Sequence, residues 1–243
     1  APAGAPGAPA KTAEPELPSW LRQVAPVRPP RATPLAPSSA FDEEIRALPG
    51  AAGDRHKALQ RGQIVHRLMQ SLPDIAPAAR RPALERYLGN AARDLSPDER
   101  AEIARHVLAI LEDNKFADVF AAGSRPEVPI VGRISRPDCE SVLVAGQVDR
   151  LIATDNTVLV VDYKTDSVVP GRLDDVPPAY IAQLALYRAV LARIYPGKSA
   201  RAALIFSAGP VLLEIPASTL DAALETQLAQ HGTQRSHAPV TAA

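Results

Sequence analysis

Two aspartates and a lysine carry the first chemical signal in this sequence. Gly146-Gln147-Val148-Asp149-Arg150 is followed, after a short gap, by Asp162-Tyr163-Lys164-Thr165. Between them, Thr154-Asp155-Asn156-Thr157 suits a tight turn, because Asp and Asn tolerate unusual backbone angles. With Asp155 and Asn156 as the loop residues, the hairpin register sets Asp149 opposite Asp162. Opposed residues share a face, with Cβ atoms about 5 Å apart, and strand alternation returns Lys164 to that face. Two carboxylates this close repel unless a positive charge sits between them. Lys164 is one source of that charge, and a plain Asp–Lys cluster on a sheet surface is the alternative. Asp162, however, ends the apolar run Val158-Leu159-Val160-Val161, where a bare charge is expensive to desolvate. The spacing therefore predicts a divalent cation, and hard oxygen ligands favour Mg²⁺ or Mn²⁺.

Three further positions draw notice. His66 lies four residues after Gly62, whose missing Cβ permits another element to approach closely. A lone helical histidine is more often a satisfied core residue than a ligand, and His56, His106, His231 and His237 offer still less. Gln183 and Tyr187 are one turn apart, with Tyr180 extending the stripe. An ordinary amphipathic helix with Leu184, Leu186, Val190 and Leu191 in the core explains the tyrosines. Gln183 still needs a hydrogen-bond partner there, which a carboxylate or a phosphate would supply. Glu127, in Arg125-Pro126-Glu127-Val128-Pro129-Ile130, sits either at the same rim or on a solvated strand edge.

Secondary structure must bring these groups together. Ten of the 25 prolines fall in the first 40 residues, mostly separated by alanine, so residues 1–55 read as a Pro/Ala-rich linker. Within it, Leu17, Trp20 and Leu21 form a short apolar cluster able to dock on a neighbouring surface. Helical periodicity begins near residue 56 with Leu59, Ile64, Val65, Leu68, Met69 and Leu72. A second helix is expected over residues 78–91. A third starts at Ser96, with Pro97 in its first turn and Glu99 completing a capping box. Strands follow at 126–134, 141–152 and 157–164, then a helix at 178–195, strands near 201–207 and 210–215, and a helix at 217–230. The order predicts an α/β fold, helices flanking a mixed central sheet after an N-terminal helical region. It gives one domain over residues 56–230, with a disordered polar tail at 231–243.

Composition narrows the options. The single cysteine, Cys139, excludes a disulfide framework and a multi-cysteine zinc or iron–sulfur site within the chain. No run is long and apolar enough for a membrane span, and no secretory signal opens the sequence. The 27 basic and 27 acidic residues balance, which gives no support to whole-surface attraction for nucleic acid. The first 40 residues carry +2, so the rest carries −2. The only methionine is Met69, as expected of a processed product or a piece of a longer chain.

Taken in order, Gly62-x-x-x-His66, Gly146-x-x-Asp149-Arg150, Asp162-Tyr163-Lys164-Thr165 and Gln183-x-x-x-Tyr187 resemble the nuclease domain of the RecB family, within the PD-(D/E)XK superfamily. More narrowly, His66-Arg67-Leu68-Met69-Gln70-Ser71-Leu72-Pro73, Arg125-Pro126-Glu127-Val128-Pro129 and Ala179-Tyr180-Ile181-Ala182-Gln183-Leu184-Ala185-Leu186-Tyr187 are similar to the C-terminal nuclease domain of AddA-type helicase–nuclease proteins. The resemblance implies a restriction-endonuclease-like core and Mg²⁺-dependent hydrolysis of DNA, of exonuclease type, with water as nucleophile. It implies His66, Asp149, Asp162 and the Tyr163 backbone carbonyl as metal ligands, and Lys164 as catalytic lysine. Gln183 and Tyr187 would support the site and contact DNA near the scissile phosphate. Gly62, Glu127, Arg150 and Thr165 would have supporting duties. It further implies an upstream helicase domain on the same polypeptide, an AddB-like partner, and double-strand-break repair in a bacterial cytoplasm. No iron–sulfur cluster is expected, since the relatives that bind one use four cysteines. The proline that gives the superfamily its name is replaced by Val148, a variation ordinary in this branch. A stand-alone RecB-like exonuclease and a non-catalytic DNA-binding module of the same fold are the alternatives. No Gly-rich ATP-binding loop occurs, so no ATPase is expected within the chain.

Overall fold

The computed structural model describes residues 21, 23, 34–37, 52–136 and 139–236, without the side chains of 52–55, 136, 139–140 and 231–236. Leu17, Trp20, most of the proline-rich lead and residues 237–243 lie outside the described residues, as does the Cys139 side chain. The chain divides into two compact units, Ala1–Ala32 and Thr33–Ala243. In the first, the described residues Leu21 and Gln23 are both exposed.

The second unit holds five helices and five strands among its described residues. Helices α1 (Ala52–Ser71), α2 (Pro77–Ala91) and α3 (Pro97–Glu112) come first. Strands β1 (Arg125–Arg136), β2 (Cys139–Ala153) and β3 (Thr157–Lys164) follow. Helix α4 (Pro178–Ile194) then crosses over to β4 (Ser199–Phe206), β5 (Val211–Glu214) and helix α5 (Ala217–Ser236). The last helix thus continues six residues past the expected 230, so residues 231–236 are helical rather than tail. A 3-10 stretch at Asn114–Phe120, unforeseen from the periodicity, buries Phe116 and Val119.

The strands form one mixed sheet in the order β1-β2-β3-β4-β5. Only the β3–β4 pair is parallel, and α4 makes the crossover that such a pair requires. β3 is covered on both faces, which explains its nearly unbroken apolar run. One face, carrying Val144, Val148, Val158, Val160 and Leu204, packs under α4 and α5 around Leu184, Tyr187 and Leu191. The other face, carrying Val161, Tyr163, Ala203 and Ile205, packs under α1, α2 and α3 around Leu68, Met69, Leu84 and Ile103. Ser96 caps α3 as expected: its hydroxyl accepts from the Glu99 N–H, and the Glu99 carboxylate accepts from the Ser96 N–H.

The turn chemistry fixes the register. Thr154 N–H donates to the Thr157 carbonyl around Asp155 and Asn156, and Arg150 pairs with Val161 at the far end of the ladder. There the β2–β3 ladder stops, one step short of Asp149 and Asp162, although β3 remains paired with β4 through Lys164. The edge of β2 so released is partly covered from an unexpected source. Leu35, inside the stretch read as linker, donates its N–H to the Leu143 carbonyl and accepts from the Ala145 N–H.

Candidate metal centre

The open notch between β2 and β3 is where the reactive side chains meet. Without a strand partner, the Tyr163 N–H is taken by the Asp149 carboxylate, Oδ2 at 2.6 Å. The other oxygen of Asp149 lies 3.2 Å from His66 Nδ1 on α1. α1 comes this close because Gly62, one turn earlier, has no Cβ; one built there would stand 3.2 Å from Thr165 Oγ1. The His66 ring also meets the Tyr163 ring edge-on, centroids 5.7 Å apart. Burial alone would lower the His66 imidazole. The Asp149 hydrogen bond and the charges of Asp149, Asp162 and Glu127 outweigh burial and push it up to about 8.

Glu127 comes to the same point from β1. Its φ of 51° is the left-handed conformation, rare for a residue with a side chain. The β1–β2 ladder pairs Pro126 with Arg150 and Val128 with Val148, and skips the Glu127–Asp149 step between them. Both strands leave regular geometry at this step, and β2 changes face there: Val148 and Leu151 lie in the same apolar cluster, where strict alternation would separate them. The Glu127 carboxylate accepts a hydrogen bond from the Gln147 amide, and burial, reinforced by the charge of Asp149, raises its pKa. Gln147 is not singled out by the sequence, although its diagonal position to Glu127 across an antiparallel pair is the available signal.

Lys164 and Asp162 lie on the α4 side of the notch, both nearly fully buried. Lys164 Nζ is 2.9 Å from Asp162 Oδ2, donates to Gln183 Oε1 at 2.9 Å, and sits 3.9 Å from the centre of the Tyr180 ring. The partner Gln183 required is therefore the lysine ammonium. Tyr180 in turn donates its hydroxyl to Asp166 at 2.8 Å. Burial raises the pKa of Asp162 and the Lys164 charge opposes it. Asp162 Oδ2 is buried with no hydrogen bond of normal geometry, so its ion pair leaves acceptor capacity unused.

Two expectations need correction. The register places Asp149 level with Asp162, but the carboxylates do not simply oppose each other across a ladder. Asp149 is drawn to the Tyr163 N–H and His66, and Asp162 to Lys164. Tyr187 also does not reach the cleft. It is wholly buried, lying against Gly146, where a Cβ would stand 2.8 Å from its ring. Burial pushes its hydroxyl up to about 12. Tyr187 is thus in no position to touch a bound strand, and it supports β2 from below.

A cleft of about 1190 Å³ opens over the notch, lined by His66, Glu127, Asp149, Asp162, Lys164 and Gln183. Arg61 and Arg67 of α1 form part of its wall. One donor atom each from His66, Glu127 and Asp149 lies within 4.8 Å of the others. An imidazole nitrogen, two carboxylates and the unused oxygen of Asp162 fit a small divalent cation. Strand alternation also aims the Tyr163 carbonyl to the same side as its N–H, toward the notch. Arg150 points the other way, into the α1 layer, and Thr165 stands beside Gly62.

A family model described as the PD-(D/E)XK nuclease superfamily matches residues 40–240. Among curated proteins, the chain is 28% identical over 151 residues to an ATP-dependent helicase/nuclease subunit of Bacillus cereus (strain ATCC 10987 / NRS 248). It is 27% identical over 151 residues to the protein of the same name in Bacillus thuringiensis (strain Al Hakam). Each match covers 54% of this chain and 12% of the relative, so the chain corresponds to a small part of those proteins' length. Among solved structures, a crystal structure of SSO0001 matches over 74% of this chain and 86% of that one, at 14% identity and a TM-score of 0.30.

Proposed function

The chain belongs to the PD-(D/E)XK nuclease superfamily, and on that premise we propose that it is the DNA-hydrolysing nuclease portion of a helicase–nuclease protein of the AddA type. The observation that carries this reading is the convergence of His66, Glu127, Asp149, Asp162 and Lys164 in one cleft. Each is delivered by a different strand or helix except the last two. In this reading His66, Glu127, Asp149, Asp162 and the Tyr163 carbonyl hold Mg²⁺ or Mn²⁺. When bound, the cation supplies Lewis acidity toward the phosphoryl oxygens.

The remaining work falls to the chain's own groups. Asp149 is locked by the Tyr163 N–H and His66, so it meets the cation with its orientation already set. The Lys164 ammonium lines the cleft and is held by Asp162, Gln183 and Tyr180. There it orients the attacking water or neutralises charge developing on the phosphate, and a pre-positioned donor needs no reorganisation during reaction. Gln183 keeps the ammonium from collapsing fully onto Asp162, which leaves that carboxylate able to bind metal.

The relatives' names support the wider reading of a nuclease joined to an ATP-driven motor, acting with an AddB-like partner in bacterial DNA repair. Its setting would be the cytoplasm; among the described residues no helix is long and apolar enough to cross a membrane. The test is cleavage of end-labelled single- and double-stranded DNA with Mg²⁺, Mn²⁺ or chelator, with Lys164→Ala as control. Metal-dependent release of short products by the wild type alone is the expected result. DNA binding without cleavage at any metal concentration would overturn it in favour of a non-catalytic module.

A further inference from the structure

Arg150 is the most deeply buried charged side chain among the described residues, 1% exposed, and it does not face the cleft. Its guanidinium enters the layer between the sheet and α1. Nε donates to the Tyr163 hydroxyl at 3.0 Å, one terminal nitrogen donates to Ser124 Oγ at 2.7 Å, and the other to the Met69 carbonyl at 3.2 Å. The group also lies 4.9 Å from the centre of the Phe120 ring. None of these partners is a carboxylate. An arginine buried without an ion pair is expensive, so packing alone is a poor explanation for it.

Its partners supply a better one. Met69 is on α1, less than one turn after His66. Tyr163 is on β3, and its N–H fixes the Asp149 carboxylate. Arg150 itself follows Asp149 on β2, and Ser124 immediately precedes β1, which carries Glu127. A single rigid fork therefore ties the four segments that deliver His66, Asp149, Glu127 and the Asp162–Tyr163 pair. The backbone does not clamp β2 to β3 at this level, because their ladder ends at the Arg150–Val161 pair.

We propose that Arg150 is a positioning residue that sets the spacing of the metal-binding side chains from behind the sheet, replacing the ladder that stops beside it. The inference rests on the metal site of the proposed function, not on DNA cleavage as such. Lysine cannot substitute, since an ammonium offers a point charge where three separated acceptors need a planar fork.

The test uses the full chain and Mn²⁺ as probe, with binding measured calorimetrically on folded protein. Arg150→Met and Arg150→Lys should each bind Mn²⁺ roughly 10–100-fold more weakly, the range typical for loss of a group that orients metal ligands. Where DNA is cleaved, kcat should fall with KM for DNA unchanged, because a residue this buried cannot touch the strand. Should the Arg150 variants not fold, Tyr163→Phe and Ser124→Ala each remove one arm and should weaken Mn²⁺ binding by smaller factors. Wild-type Mn²⁺ affinity in folded Arg150→Met, or in both single-arm variants, would overturn the inference. A wild type that binds Mn²⁺ yet leaves DNA intact would count against the nuclease reading alone, since the Arg150 comparison is made on binding.

Discussion

The two long sides of β3 make opposite use of the same strand. On one side, β4 pairs with it from Thr157 to Lys164 without interruption. On the other, β2 pairs with it only from Val158 to Val161. Along the closed side the backbone is satisfied by backbone, and the residues there, such as Leu204 and Ile205, are fully buried and apolar. Along the open side a carboxylate takes the place of a strand carbonyl, and every proposed ligand gathers around that substitution. The difference teaches that the site is built by ending a ladder early. An unfinished sheet supplies a fixed N–H, a carbonyl aimed at space, and room for side chains from α1 and α4.

The sharpest way to break this comparison is at Asp162 and Lys164. Asp162→Asn should reduce metal-dependent cleavage by about 10²–10³-fold or more. It should also destabilise the fold by roughly 3–5 kcal/mol, because it strands a buried ammonium. Replacing both partners, Asp162→Asn with Lys164→Met, should recover much of the stability and none of the activity. Thermal melts and single-turnover cleavage separate the two effects. A folded Asp162→Asn that cleaves at the wild-type rate would sink the site assignment.

The closed side should respond in the opposite sense. Leu204→Ala leaves a cavity in the core and should cost about 2–5 kcal/mol, with metal affinity per folded molecule unchanged. Loss of Mn²⁺ binding in that variant, measured where it is still folded, would show that the two sides are not separable. The open side should in turn gain stability from metal. Mn²⁺ at a hundred times its Kd should raise the unfolding free energy by about 2.7 kcal/mol in the wild type and by much less in Asp149→Ala. Equal shifts in the two proteins would place the ion elsewhere.

The sequence discloses the closed side more fully than the open one, for a physical reason. Turn chemistry at Asp155-Asn156 sets the β2–β3 register, and the burial of Val158, Val160 and Val161 follows from the apolar run that β3 carries. Both depend on neighbours in sequence. The early end of the ladder depends on Asp149 reaching the Tyr163 N–H, which no local pattern encodes. The left-handed Glu127 is likewise set by the sheet, and only Pro126 and Pro129 around it hint at an irregular strand. Leu35 is hidden inside a proline-rich stretch because a single bridging residue has no periodicity to read. His66 is ambiguous as a lone helical histidine and becomes a candidate ligand only through resemblance; the structure supplies the missing reason in Gly62 and Thr165.

Tyr187 offers the finest test, because there resemblance and structure disagree about the role of one side chain. As a DNA contact, its hydroxyl would matter and its ring would be replaceable. As a buried prop beneath Gly146, the ring matters and the hydroxyl, which has no hydrogen bond of normal geometry, does not. Tyr187→Phe should therefore change stability by less than about 1 kcal/mol, since it removes a polar atom that burial already penalises. Its KM for DNA should stay at the wild-type value. Tyr187→Leu should destabilise by several times as much, and Gly146→Ala should do the same from the other side by forcing a methyl into the ring. A Tyr187→Phe protein with unchanged stability and a raised KM would restore the hydroxyl to the DNA, and would mean that the notch opens further than its resting geometry in order to accept a strand.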